Sequence, residues 1–256
     1  MNLTDFFILS RRLNFLIKSL FFVIIQTEDF MENKELIDRS PIRTFESITN
    51  GGIKAGEIGA ITSKKGLGKT SVLVQLGMDY LLQDKKIVHL SFDQKSDNAF
   101  TWYEDIFAEI TKRKNIVKPD DLKESILKNR ILLNFNQDII SGKQIVGTLE
   151  ALSSGGIKIE GLVIDGLDFT KVTDDTIKIL KDYAKKAKIV VWFGVSTDET
   201  DIKKMFKPDL EKIIDAVLYL EQKPDSIQMQ VLKIRGDKVP DSSMKLDSKT
   251  LLLAEK

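Results

Sequence analysis

Two stretches of this 256-residue chain carry side chains that can do chemistry together. The first is Ser63-Lys64-Lys65-Gly66-Leu67-Gly68-Lys69-Thr70. Glycines let a backbone turn tightly, so that successive N–H groups converge on an anion. A helix that starts at such a turn points its positive end at the same anion. The spacing is that of a phosphate-cradling P-loop, with Ser63 in place of the first glycine. Lys69 would then reach the β- and γ-phosphates of a nucleotide, and the Thr70 hydroxyl would ligate Mg²⁺. Ser63 is small but disfavours the positive φ that glycine accepts, so weaker phosphate binding or a rearranged loop is expected.

The second stretch is Leu162-Val163-Ile164-Asp165. A carboxylate at the C-terminal end of a buried strand faces the ligand crevice of an open α/β sheet. Asp165 is therefore expected to hold Mg²⁺, through water, opposite Thr70. The alternative is a turn-initiating aspartate, since Asp165-Gly166 is a common turn dipeptide. Asp168 is a second, weaker metal candidate. Hydrolysis also needs a group that orients or deprotonates water. Ser91-Phe92-Asp93-Gln94 offers Asp93 for either task and Gln94 for orientation alone. Asp93 reads equally well as a loop acid ahead of a helix.

Composition removes most other chemistry. The chain has no cysteine, which excludes disulfides, Cys-ligated zinc, iron–sulfur clusters and thiol nucleophiles. It is compatible with a cytoplasmic chain. The single histidine, His89, cannot by itself build a Ser-His-Asp triad or a His-cluster metal site, and reads as a packed strand residue. Lys and Arg number 39 against 38 Asp and Glu, which argues against a globally basic nucleic-acid binder. The local cluster Lys112-Arg113-Lys114 ends a helical pattern, where cations match the helix dipole.

The elements that must position these residues alternate. Strands are expected at 56–62, 86–92, 130–135, 161–165 and 188–196. Helical spacing joins Val72, Leu73, Leu76 and Tyr80, then Ala99, Tyr103, Ile106, Phe107 and Ile110 with Asp97 as N-cap. A helix capped by Ser141 runs to about Leu152, and another carries Ile177, Leu180, Tyr183, Ala184 and Ala187. Continuous apolar strands mean burial on both faces, as in a parallel sheet covered by helices. After Pro208 the runs 216–220, 226–234 and a last pair near Met244–Leu253 predict antiparallel hairpins at one edge. The fold class is α/β.

Residues 1–40 read as an extension and 41–256 as the nucleotide-binding domain. The first thirty residues hold six of the 14 Phe, and their apolar stretch from Leu13 to Ile25 is too short to span a bilayer. They read as an over-extended start ahead of Met31, as a terminal helix, or as a membrane-contacting segment.

With these residues in view, the chain resembles the RecA/KaiC-like family of P-loop ATPases, which includes DnaB-type helicase cores. The resemblance spans about 41–256. Thr49 to Glu57 is similar to the family's glycine-rich lead into the first strand, and the phosphate loop and Asp165 match its nucleotide and magnesium motifs. Asp215 to Leu220 looks like the late strand of KaiC domains, and Val231-Leu232-Lys233-Ile234-Arg235-Gly236 like their LK-x-RG hairpin. The resemblance implies a RecA-like core, ATP and Mg²⁺ as ligands, and self-assembly into a ring or filament. It implies that Lys233 and Arg235 act on the γ-phosphate of a neighbouring subunit, their i,i+2 spacing on a strand giving one face. It places Ser196 and Thr197 where a polar γ-phosphate sensor stands. The family's glutamate at the end of the second strand is replaced by Asp93, followed by Gln94.

Together these imply a slow or regulatory ATPase switch. The alternatives are a hydrolysis-deficient scaffold that signals through a protein partner, and a DNA-handling motor.

Overall fold

Strands without polar alternation need cover on both sides, and here helices supply it. The computed structural model describes residues 34, 36–92, 97–116, 119–138, 140–237, 239 and 243–254. Asp93, Gln94 and residues 1–33 lie outside the described residues.

In chain order the described elements begin with α1 (Pro41–Ile48), β1 (Ile58–Ser63), α2 (Lys69–Leu82), β2 (Ile87–Ser91), α3 (Asp97–Lys114), α4 (Pro119–Leu127), β3 (Arg130–Asn134), α5 (Gly142–Ser154), β4 (Gly161–Asp165) and α6 (Asp174–Ala187), after a helical stretch at 36–38. Then come β5 (Val190–Ser196), the short α7 (Ile202–Met205) and α8 (Pro208–Ile213), β6 (Ala216–Gln222), β7 (Ile227–Ile234) and β8 (Ser243–Leu246). The eight strands form one sheet in the order β3-β2-β4-β5-β1-β6-β7-β8. Every pairing from β3 through β6 is parallel, whereas β7 and β8 add antiparallel to the β6 edge. The expected mostly parallel α/β sheet with an antiparallel edge is what forms.

The period of two is visible in the packing. Leu162 and Ile164 of β4 face one core layer with Ile145, Leu149, Ile177 and Leu180 of α5 and α6. Val163, between them, faces the other layer with Val72, Leu73 and Leu76 of α2. Each such aliphatic side chain contributes about 1.5–3 kcal/mol on full burial, so both layers resist slippage by one residue.

Local signals set several ends. Ser141 and Gln144 form a reciprocal capping box at the start of α5. Ser40 accepts from Ile42 N ahead of Pro41, which starts α1. That helix, absent from the strand–helix pattern above, packs Phe45 edge-on to Trp192 of β5, with centroids 5.9 Å apart. The entry of β1 is pinned by Asp215, which accepts from Ile58 N at 2.7 Å and pairs with the buried Lys181 of α6.

The expected last hairpin is reduced. After β8 the chain turns through 247–252, where Asp247 Oδ1 accepts from the N–H groups of Lys249 and Thr250. It returns with a single bridge, Leu246 to Leu253. Among the described residues, no helix is long and apolar enough to cross a membrane.

Candidate functional site

β1 ends at Ser63 and α2 begins at Lys69, so residues 64–68 make the whole turn. Gly66 and Gly68 both sit in the left-handed region, at φ 88° and 91°. A side chain is strained there, which is why glycine occupies both places. Gly68 is the N-cap of α2 and supplies no side-chain acceptor, so the first-turn N–H groups of the helix are left for another partner. Around Gly66 there is open space within 4 Å of where a Cβ would stand.

Lys69 folds back on this turn. Its Nζ donates to the carbonyls of Ser63 at 3.3 Å and Lys64 at 3.1 Å, and to Ser63 Oγ at 3.3 Å. Burial pushes its pKa down, and the neighbouring Lys65 adds to the effect, against the opposing charge of Asp165. Thr70 Oγ1, on the next residue, donates to Asp165 Oδ2 at 2.6 Å. The second carboxylate oxygen accepts from Gly166 N at 2.9 Å. The carboxylate therefore stands over the start of α2, with the Lys69 ammonium beside it.

β5 lies between β1 and β4 and makes this approach possible. A Cβ on Gly194 would stand 2.8 Å from Asp165 Oδ1 and 3.0 Å from Leu73 Cδ1. Ser196 ends β5 directly opposite Ser63, and Thr197 N donates to the Ser63 carbonyl at 2.9 Å. Ser63 to Thr70, Asp165, Ser196 and Thr197 thus gather at three neighbouring strand ends. Ser91, ending β2, is in register with Asp165, and Phe92 N donates to the Asp165 carbonyl at 2.9 Å. The chain toward Asp93 and Gln94 leaves from there; those two residues lie outside the described residues.

Other candidates stand elsewhere. Asp168 is exposed and tied to Thr170, whose hydroxyl and N–H hold its carboxyl below the usual range. Its backbone exchanges two 2.8 Å hydrogen bonds with the Gln137 side chain. Lys233 is in register with Val217, itself level with Ala60 of β1, three residues before Ser63. At about 3.3 Å per residue, that is roughly 10 Å toward the far end of the sheet. Its ammonium donates to the Glu211 carbonyl. Arg235 lies beyond the end of β7 at φ 48°, so the expectation that it shares a strand face with Lys233 does not hold. It donates to the carbonyls of Gly52 at 2.5 Å and Thr49 at 3.0 Å and pairs with Asp237. Within its own chain it clamps the loop leading into β1. Lys112, Arg113 and Lys114 form the last turn of α3, and Arg113 donates to Thr250 Oγ1 at 2.6 Å.

His89 is buried on β2, as its strand position implies, with Nδ1 3.3 Å from the Tyr103 hydroxyl. Burial pushes its pKa down to about 4, and Arg130 adds to this while Asp165 opposes it.

Sequence reasoning missed two parts of the site. Gly194 interrupts an apolar strand, and an isolated glycine in a strand marks a close approach. Gln75 of α2 donates to the Leu251 carbonyl at 3.0 Å and accepts from Leu253 N at 2.8 Å. Ser71 Oγ donates to the same Leu251 carbonyl at 2.8 Å, so the C-terminal turn is fastened to the helix behind the loop.

The donor set suits Mg²⁺ held jointly with phosphate oxygens, since that ion keeps most of its waters and takes one or two protein ligands. Among the described residues, no three His, Cys, Asp or Glu side chains are grouped to cage a metal without such help. No protein-family model matches the chain, and no curated protein matches it either.

Proposed function

We propose that this chain binds Mg-ATP through residues 63–70 and Asp165 and works as a slow or regulatory ATPase switch of the RecA/KaiC-like kind, assembling with copies of itself. The observation that carries the proposal is the 2.6 Å contact of Thr70 with Asp165, beside a lysine at the base of a two-glycine turn. A hydroxyl and a carboxylate so placed suit the two protein groups that a nucleotide-bound Mg²⁺ uses, and the ammonium would reach the phosphates on leaving its loop carbonyls. The parallel sheet with its antiparallel edge supports the family reading. Ser196 and Thr197, at the end of the strand between β1 and β4, would contact the terminal phosphate.

In trans, Lys233 and Arg235 would have to come from a neighbour, because their own loop lies toward the other end of the sheet. Their bonds within the chain favour a second reading, a scaffold that binds nucleotide without hydrolysing it. A DNA-handling role is less supported, since Arg113 is taken up by Thr250 and Asp247.

Native mass measurement with and without Mg-ATP, paired with calorimetry on wild type and Lys69→Ala, tests the proposal. Wild type should bind and shift in mass while Lys69→Ala does neither. Equal heats from both proteins would remove the phosphate role of the loop. Single-turnover ATP cleavage then separates the switch from the scaffold.

A further inference from the structure

The loop lysine is gripped by the very residue that replaces the motif's first glycine. An ammonium has three donors, and three oxygens lie around Lys69 Nζ: the Ser63 carbonyl and hydroxyl, each at 3.3 Å, and the Lys64 carbonyl at 3.1 Å. The Ser63 hydroxyl itself donates to the Lys64 carbonyl at 2.8 Å, which fixes its lone pairs toward the ammonium. Ser63 is fully buried and Lys69 is 9% exposed, so little water competes for these contacts. A glycine at position 63 would offer its carbonyl alone. The hydroxyl is therefore an acceptor that this sequence adds to the loop.

We propose that Ser63 is a positioning residue that holds the Lys69 ammonium against the turn, so that an incoming phosphate must displace the hydroxyl and binds less tightly than the loop amides would otherwise allow. The inference rests on the nucleotide reading above and specifies how that site is tuned. A hydrogen bond to a charged group is stronger than a neutral one, but at 3.3 Å this one is long, so the effect belongs at the lower end. Removing the hydroxyl should tighten Mg-ATP binding about three- to tenfold.

The test uses the full chain as wild type, Ser63→Ala and Ser63→Gly, with thermal unfolding to confirm that each is folded. Calorimetry gives the Mg-ATP dissociation constant. Separately, without nucleotide, the side-chain Cε resonance of Lys69 is recorded at one fixed pH and assigned by its loss in Lys69→Arg. Both variants should bind more tightly, and the Lys69 resonance should move as one acceptor of its ammonium is removed. Unchanged or weaker binding in both variants, or an unmoved Lys69 resonance, overturns the proposal. If neither wild type nor variants bind a nucleoside triphosphate, the nucleotide reading fails and the affinity claim fails with it. A variant-dependent Lys69 resonance in that case still establishes the Ser63 contact, which keeps the two failures apart.

Discussion

Gly194 of β5 and Asp165 of β4 stand so close that a methyl group on the glycine would lie 2.8 Å from Asp165 Oδ1. The same methyl would lie 3.0 Å from Leu73 of α2. The glycine is thus the seat across which the carboxylate reaches Thr70. Alanine there should displace both neighbours. Replacing a strand glycine without a clash commonly stabilises by about 0.4–1 kcal/mol, whereas overpacking costs about 1–3 kcal/mol. Gly194→Ala is expected to destabilise by an amount in the latter range and to weaken Mg-dependent nucleotide binding. Urea unfolding and calorimetry with and without Mg²⁺ measure the two effects. A variant at least as stable as wild type would show that the contact is slack.

Asp165→Asn tests the metal role with little change in shape. Asn keeps an acceptor oxygen for Gly166 N and presents an NH2 from which the Thr70 hydroxyl can accept, so both contacts can persist and stability should change little. The larger effect should be electrostatic: adding Mg²⁺ should no longer improve ATP affinity, while binding without metal stays near wild type. The ratio of dissociation constants with and without Mg²⁺ is the readout. An undiminished ratio would remove the proposed metal role of Asp165.

His89 gives a pH dependence with a definite sign. Its folded pKa is pushed down to about 4 from 6.5, by burial first and by Arg130 second. Tyr103 of α3, Arg130 of β3 and Asp165 of β4 are the groups that act on it. The unfolded chain therefore takes up a proton near pH 6.5 that the native state refuses. Stability from this residue is full above pH 6.5 and falls as pH drops toward 4, by roughly 3 kcal/mol across the window. His89→Gln should flatten that slope. The difference between the urea midpoints of the two proteins, followed from pH 7 to pH 4.5, is the readout.

Much of this arrangement could be read along the chain, and the exceptions share a cause. The buried strands, the two-glycine turn and the acid at the end of β4 are local patterns of a few residues, and periodicity or spacing exposes them. Ser40-Pro41 marks a helix start and Ile42, Phe45 and Ile48 follow at helix spacing, but at eight residues α1 is too short to stand out. Gly194 and Gln75 work through partners distant in sequence: Asp165 is 29 residues away and Leu251 is 176 away. Such contacts exist once the sheet has closed; a glycine inside an apolar strand hints at a close approach, but no local window names the partner. Arg235 shows the opposite failure. A strand pattern extended one residue too far gave it the wrong face, because the backbone turns to φ 48° there.

Arg235 and Lys233 can be told apart by what they hold. Arg235 is 17% exposed and donates to two loop carbonyls while lying 3.6 Å from Glu57. Truncating it leaves those acceptors unpartnered, which costs about 1–3 kcal/mol for a buried group. Arg235→Ala should therefore lower the unfolding midpoint and speed amide exchange across 49–57, with Mg-ATP affinity within about twofold of wild type, since the turn at 64–68 lies beyond the other end of β1. Lys233 makes one bond to a carbonyl, and burial pushes its ammonium below its ordinary pKa against Glu211 and Asp215. Lys233→Ala should cost less, about 1 kcal/mol. If the pair instead serves a neighbouring subunit, the double variant should lose concentration-dependent turnover by much more than its stability loss explains. Turnover measured against protein concentration, beside exchange rates at 49–57, decides between a clamp within the chain and a contact made across subunits.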